Sequence, residues 1–160
     1  MKKKFLIVGD NHLDSKSPKS RVDNYLETSL MELRETLQIA KAAKVDYYIL
    51  LGDVFDRIEV GGVCRNKALE TLLSDDGEPW PFEKYVVMGN HDLNHNPYYL
   101  EKSALDTLIK SRAVKCYSEQ VDNLFSFYHL NFNMYFEAEF NVIIVIIVIT
   151  NNSNNSISSS

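Results

Sequence analysis

The chain has 160 residues, of which 45% are hydrophobic and 24% are charged, and this composition is typical of one soluble globular domain. All 17 basic residues lie within residues 1–116, together with 18 of the 22 acidic residues, so this part of the chain is close to neutral. This near balance of positive and negative charge excludes a strongly basic nucleic-acid coat and a polybasic membrane anchor.

Cysteine usage and the lengths of the apolar runs indicate the compartment. Cys64 and Cys116 are too few and too far apart for a disulfide framework or a structural zinc site. The longest apolar run, Val142–Ile149, has only eight residues, whereas a helix needs about 20 to cross a bilayer. We therefore predict a cytoplasmic protein without a membrane partner.

The first half of the chain alternates apolar runs with a helical pattern. Phe5–Val8 is a continuous apolar run that predicts a buried first strand. Apolar residues recur at helical spacing over 24–44, which predicts an amphipathic helix. Tyr47–Leu51 predicts a second buried strand, and a shorter helix is expected over Val63–Leu73, ended by the turn cluster Ser74–Pro79.

The same alternation continues as far as residue 117. Tyr85–Met88 predicts a third strand, Tyr99–Lys110 a helix, and Val114–Tyr117 a short fourth strand. Strands that alternate with helices predict an α/β fold with a mostly parallel sheet, flanking helices and right-handed crossovers. In such sheets, ligands bind outside the carboxyl ends of the strands.

The C-terminal part differs in composition from the rest, because it contains no Lys, Arg, Gly or Pro after residue 116. Val142–Ile149 is expected to form either an added edge strand or an exposed aggregation-prone segment. Residues from about 150 onward, rich in Asn and Ser, are expected to be disordered. The chain is thus divided into an N-terminal domain at 1–116, an atypical aromatic and β-branched tail at 117–149 and a disordered tail at 150–160.

Polar residues of one kind follow each of the first three predicted strands. The three groups are Asp10 to His12, Gly52 to Arg57, and Gly89 to Asp92. Any one group is explained about as well by a turn or a helix cap. Together, at one edge of a parallel sheet, their carboxylate, imidazole and carboxamide groups favour a site for manganese, iron or zinc. A carboxylate shared by two such ions suits phosphoester hydrolysis.

The three groups match, in order, the motifs D-x-H, G-D-x-x-D-R and G-N-H-D, and the chain thereby resembles the calcineurin-like metallophosphoesterases. The resemblance covers about residues 3–115, and within that family it is greatest to SbcD-like DNA repair exonucleases, including phage relatives. The closer likeness is carried by Leu13, Arg21 to Asn24, Ala40, Val45, Asp46, Val54 and Phe55. It implies part of the calcineurin-like phosphoesterase fold.

The resemblance also implies roles for particular residues. The implied metal ligands, for two manganese ions or for iron or zinc, are Asp10, His12, Asp53 and Asn90. The implied catalytic residues are His91 as proton donor, Asp56 as its orienting partner and Arg57 as a phosphate contact. The implied reaction is attack on a phosphodiester by a metal-activated water, and the implied partners are DNA, an SMC-like ATPase and a second copy of the chain.

One part of the family pattern is missing from the sequence. The family continues with a lone histidine and a G-H-x-H motif, but this chain has no glycine after Gly89. His95 is expected to be a solvent-exposed loop residue and His129 an incidental one. The expectation is a C-terminally truncated enzyme with an incomplete site. The alternatives to a DNA nuclease are a nucleotide or small-molecule phosphoesterase, and a non-catalytic remnant that binds metal weakly or docks to a partner.

Two further features have a plain and a functional interpretation. Lys16, Lys19 and Arg21 either bind a DNA backbone or simply face water, and the second is favoured. Trp80 either stacks on a base or packs over a loop, and packing is favoured.

Overall fold

The computed structural model describes residues 2–9, 11–19, 21–93, 97–116, 134–137 and 144–150. Its helices are α1 (Tyr25–Ala43), α2 (Gly62–Leu73), α3 (Asn90–Leu93), a 3-10 helix (Pro97–Lys102) and α4 (Ala104–Lys110). Its strands are β1 (Lys2–Val8), β2 (Tyr47–Leu50), β3 (Ser74–Asp75), β4 (Glu78–Pro79), β5 (Glu83–Val86), β6 (Lys115–Cys116), β7 (Met134–Glu137) and β8 (Ile144–Thr150).

The main sheet has the strand order β6-β5-β2-β1-β8-β7. The four strands β1, β2, β5 and β6 are parallel, and β8 and β7 continue the sheet in antiparallel pairing. The predicted α/β fold with a mostly parallel sheet is therefore confirmed. Each crossover moves one strand further in the same direction, so right-handed connections place α1, α2 and α4 on one face of the sheet.

Helix α1 begins and ends close to the predicted bounds for identifiable reasons. The Asn24 side chain accepts a hydrogen bond from the backbone N–H of Glu27, which caps the first turn. Lys44 adopts the left-handed conformation, with φ of 52°, and ends the helix. Its buried residues follow helical spacing and pack on the sheet: Leu26, Ser29, Leu30, Leu33, Thr36, Leu37 and Ala40.

The register of the parallel strands brings the ends of three strands level. Val8 pairs with Leu50, and Leu50 pairs with Val86, so β1, β2 and β5 end side by side. The loops that follow these strands therefore start from one line at the carboxyl edge of the sheet.

Several element boundaries differ from the sequence predictions. β1 begins at Lys2 and not at Phe5, and the predicted turn cluster Ser74–Pro79 contains the short strands β3 and β4. The third strand begins at Glu83 and ends at Val86, two residues earlier than predicted, and Val87 adds only one further bond, from its N–H to the carbonyl of Leu50. The single helix predicted to end at Lys110 is two helices, because Ser103 is extended and its hydroxyl caps a new start at Ala104. Helical spacing alone does not reveal such an internal cap.

The C-terminal β-branched run is a strand, but it is not at the edge of the sheet. β8 pairs along the whole of β1 on one side and with β7 on the other. The edge-strand alternative predicted for Val142–Ile149 is thus wrong over the described part, residues 144–149, and the exposed, aggregation-prone alternative stays a prediction. Thr150 belongs to this strand, and the predicted disordered tail from 151 onward lies outside the described residues.

Trp80 serves the packing between α2 and the small β3–β4 hairpin. It is only 5% exposed, its indole N–H donates to the carbonyl of Thr71 at 2.9 Å, and its ring stacks on Phe82. The packing interpretation is confirmed. Cys64 is a free, buried cysteine. Among the described residues, no helix is long and apolar enough to cross a membrane.

A buried hydroxyl pair between α1 and β2 yields a stability prediction. Thr36 Oγ1 donates to the carbonyl of Leu33 and lies 2.6 Å from the hydroxyl of Tyr48, which is fully buried, so Tyr48 donates to Thr36. Thr36→Val should leave the Tyr48 hydroxyl unpaired and cost about 1–3 kcal/mol in urea unfolding. Tyr48→Phe leaves the Thr36–Leu33 bond intact and should cost less.

The double variant should be more stable than Thr36→Val alone, since it removes the unpaired hydroxyl. A Thr36→Val variant that unfolds at the same urea concentration as the double variant would contradict this hydrogen-bond assignment.

Candidate functional site

The first and second loops after the strands are joined by backbone hydrogen bonds. The first loop comprises the described residues 11–14, the second residues 51–57 and the third residues 87–92. The N–H groups of His12 and Leu13 donate to the carbonyls of Asp53 and Val54, both at 2.9 Å, and the N–H of Asp56 donates to the carbonyl of Leu13 at 3.2 Å. These bonds hold the His12 ring beside the second loop.

The third loop is packed against the second at two glycines. Gly52 has a φ of 81°, and a Cβ there would lie 2.7 Å from the Gly89 Cα. A Cβ on Gly89 would overlap the backbone nitrogen and the Oδ1 atom of Asp53. The Asp53 Oδ1 atom accepts the backbone N–H of His91 at 2.9 Å. Only chains without side chains at both glycine positions can approach this closely.

Asp92 anchors the third loop from beneath. Its carboxylate is 1% exposed and accepts N–H groups from Phe55 at 3.2 Å and Gly89 at 3.1 Å. Burial raises the pKa of Asp92, while these hydrogen bonds oppose the shift. The third motif contains Asp92, but the sequence indicates no role for it. An acidic residue at the end of a loop is no signal by itself, because its partner Phe55 comes from a distant segment.

The three loops bring His12, Asp56 and His91 together. One ligand atom from each of these side chains lies within 4.8 Å of the other two, and His12 Nδ1 is 3.4 Å from Asp56 Oδ1. Ligands on one ion at about 2.1 Å lie at most about 4.2 Å apart, so His12 and Asp56 are within reach of a shared ion. An imidazole and a carboxylate suit zinc, iron or manganese, and the His91 ring lies beside them. The cluster therefore fits a divalent metal.

His91 is held by the second loop through a carbonyl group. Its Nδ1 atom is 2.7 Å from the backbone carbonyl of Asp56 and 3.9 Å from the Asp56 carboxylate. Asp56 thus contacts the His91 ring, and its backbone carbonyl makes the closer contact; its role as orienting partner stays a prediction. This hydrogen bond is the main cause that raises the pKa of His91, and the charges of Asp53, Asp56 and Asp92 add to it.

Arg57 forms an ion pair that sequence reasoning missed. Its guanidinium contacts the carboxylate of Asp14, which is 2% exposed, and lies 3.5 Å from Asp56 Oδ2. Asp14 follows the buried Leu13 directly. Nothing in these two neighbouring residues indicates that a distant arginine pairs with the carboxylate. The ion pair fixes the guanidinium at the edge of the His12–Asp56–His91 cluster.

Two site residues have strained backbones. His12 has a φ of 44° and Asp53 a φ of 46°, a region that residues with side chains rarely adopt. Each such residue costs about 1–3 kcal/mol and persists only where the surroundings enforce it. The hydrogen bond from His12 to the Asp53 carbonyl links the two strained residues directly.

The remaining predicted site residues are placed less centrally. Asn90 is exposed at the start of α3. Asp10, His95 and His129 lie outside the described residues. The described loops thus bring together His12, Asp53, Asp56, Arg57 and His91.

The chain was compared with families of known proteins and with curated proteins. The family model described as calcineurin-like phosphoesterase matches residues 3–153, a span that extends beyond the resemblance at 3–115 and includes β7 and β8. The search of the curated proteins gives no match.

The close contact between Gly89 and Asp53 predicts what a single methyl group added at Gly89 would do to stability. Gly89→Ala should push the third loop away from Asp53 and destabilise the protein by about 1–3 kcal/mol, as overpacking does. Gly62→Ala is the matched control, because a Cβ at Gly62 meets nothing within 4 Å and Ala favours the helix. Thermal unfolding measures both variants. Equal melting temperatures for the two would contradict the close approach of the loops.

Proposed function

The chain belongs to the calcineurin-like phosphoesterase family, a family of metal-dependent phosphoester hydrolases, and we propose that its substrate is the phosphodiester backbone of DNA. The observation that carries the proposal is the cluster of His12, Asp56 and His91 at the carboxyl edge of the sheet, with Arg57 beside it. Manganese is the proposed metal.

The proposed metal ligands are His12, Asp53 and Asn90, with Asp10 from the segment outside the described residues. Asp56 lies next to His12 and adds a carboxylate to the same cluster. A bound divalent ion supplies positive charge for the phosphate and makes water a better nucleophile. Without an ion, the carboxylates of Asp53 and Asp56 lie at this edge and would repel a phosphate.

His91 is proposed as the proton donor to the leaving oxygen. Its Nδ1 atom lies at hydrogen-bond distance from the Asp56 carbonyl, so Nε2 is the ring atom that would carry the donated proton. Asp53 fixes the position of His91 by accepting its backbone N–H.

Exposure of the site favours a polymer over an enclosed small molecule. The side chains of His12, Asp56 and His91 are 30%, 40% and 47% exposed, so the site is open at the surface. The segment 15–19 follows the first loop and is exposed, and its Lys16 and Lys19 are suited to contact a phosphate backbone. An SMC-like ATPase partner, a homodimer and a cytoplasmic location stay predictions.

A variant at His91 separates proton donation from metal binding. His91→Ala should lower hydrolysis of linear duplex DNA and of bis-p-nitrophenyl phosphate, with manganese present, by at least about 100-fold. The affinity of the protein for manganese should change little, because His91 is proposed to donate a proton and not to bind the ion. Met31→Ala is the control, since Met31 is 70% exposed on α1 and lies outside the site.

Two outcomes would count against the proposal. Loss of manganese affinity in His91→Ala would make His91 a metal ligand and not the proton donor. Absence of turnover by the native chain with manganese bound would favour the non-catalytic alternative.

A further inference from the structure

Asp14 is a buried carboxylate to which the proposed reaction gives no role. Its side chain is only 3% exposed. A carboxylate taken out of water is stable only where a cation and hydrogen bonds replace its hydration. The Arg57 guanidinium supplies the positive charge, and the backbone N–H of Lys16 donates to Asp14 Oδ1 at 3.2 Å. Asp14 and Arg57 therefore form one unit.

Backbone hydrogen bonds fix the two halves of this unit relative to each other. Leu13, directly before Asp14, donates its N–H to the carbonyl of Val54 at 2.9 Å. The Leu13 carbonyl accepts the N–H of Asp56, directly before Arg57, at 3.2 Å. The residues that precede the two partners are thus bonded to each other. The backbone that carries Arg57 therefore cannot shift independently of Asp14.

A second carboxylate competes for the same guanidinium. Arg57 Nη2, the atom that contacts Asp14, lies 3.5 Å from Asp56 Oδ2. The other oxygen of Asp56 lies 3.4 Å from His12 Nδ1 and so belongs to the cluster with His91. Charges attract each other more strongly where water is excluded, and Asp14 is both the closer and the more deeply buried partner. Asp14 thereby keeps Arg57 beside the cluster and off the Asp56 carboxylate.

Arg57 is open to a substrate although its partner is buried. Its side chain is 42% exposed. Within the described part of the chain, its ion pairs are made by Nη2, so the Nη1 donors remain for a phosphate oxygen. A guanidinium that is already held at one end loses less conformational freedom when the other end binds.

We propose that Asp14 is a positioning residue that acts through Arg57. It holds the guanidinium so that Nη1 contacts a non-bridging oxygen of the phosphodiester, while the Asp56 carboxylate stays with the cluster. Asp14 itself touches neither the substrate nor the ion. The inference rests on the proposed phosphodiesterase function, and it adds a buried residue that determines the affinity for the substrate.

Asp14→Asn tests the unit, because it removes the charge, keeps the shape and retains an oxygen for the Lys16 N–H. With manganese and bis-p-nitrophenyl phosphate, we expect KM to rise about tenfold and kcat to change less than about twofold, because a contact made equally to substrate and transition state affects KM alone. Asp76→Asn is the matched control, since Asp76 pairs with Arg34 at 2.9 Å, is 92% exposed and lies outside the three loops.

The double variant Asp14→Asn/Arg57→Gln separates positioning from a general structural role. Arg57→Gln alone should raise KM at least as much as Asp14→Asn. Adding Asp14→Asn to Arg57→Gln should then leave KM within about twofold, because Asp14 has lost the group through which it acts. The double variant contains neither charge of the pair, so it should fold even if Asp14→Asn alone does not. A further rise in KM in the double variant would overturn the proposal.

NMR signals of the Arg57 guanidinium test the positioning without metal or turnover. A guanidinium held by a buried carboxylate rotates slowly, so nitrogen-15 spectra of the full chain in EDTA should show resolved Nη signals that Arg57→Gln removes. These signals should broaden or merge in Asp14→Asn and persist in Asp76→Asn.

The outcomes separate this proposal from the proposed function. Resolved Arg57 signals in Asp14→Asn, an unchanged KM, or a fall in kcat alone would overturn the role of Asp14 and leave the phosphodiesterase intact. Absence of turnover by the native chain would contradict the proposed function. Loss of the resolved Arg57 signals in Asp14→Asn would, in that inactive chain, still support Asp14 as the residue that positions the guanidinium.

Discussion

The contact between Gly89 and Asp53 is the constraint on which the site depends. The two loops approach so closely that a Cβ at either Gly52 or Gly89 would collide with backbone atoms across the gap. The approach lets the Asp53 carboxylate accept the His91 N–H, and this bond sets where the histidine ring stands. Level strand ends make the approach possible, because Leu50 and Val86 pair directly in the sheet.

The stability of the rest of the fold compensates for several unfavourable features at the carboxyl edge of the sheet. His12 and Asp53 have left-handed backbones, Asp92 is a buried carboxylate, and the Asn11 side chain is unpaired among the described residues. Each feature costs on the order of 1–3 kcal/mol. A core of leucines on one face of the sheet, with the hydrogen bonds that Asp92 accepts, holds these groups in place. Unfavourable features of this kind are common at sites that bind a ligand or a metal ion.

The sequence predicts the parallel sheet and the convergence of the three loops, because buried β-branched runs and helical spacing are local patterns. It does not predict that Asp14 pairs with Arg57 or that Asp92 accepts the N–H of Phe55, because these partners lie about forty residues away in the chain. Nor does it place β8, since a uniformly apolar run fits any position in a sheet. The carbonyl that holds His91 also escapes sequence reasoning, because every residue has one. Long-range pairing therefore limits what residue patterns can predict here.

The measurement that tests the metal site most directly is anomalous diffraction from crystals of the full chain grown with manganese. The geometry predicts an anomalous peak at the carboxyl edge of the sheet, with a ring nitrogen of His12 at about 2.1 Å from the ion and the second loop beside it. A peak only at other surface carboxylates, or manganese bound to the protein with no peak near His12, would contradict a metal centre built by these three loops.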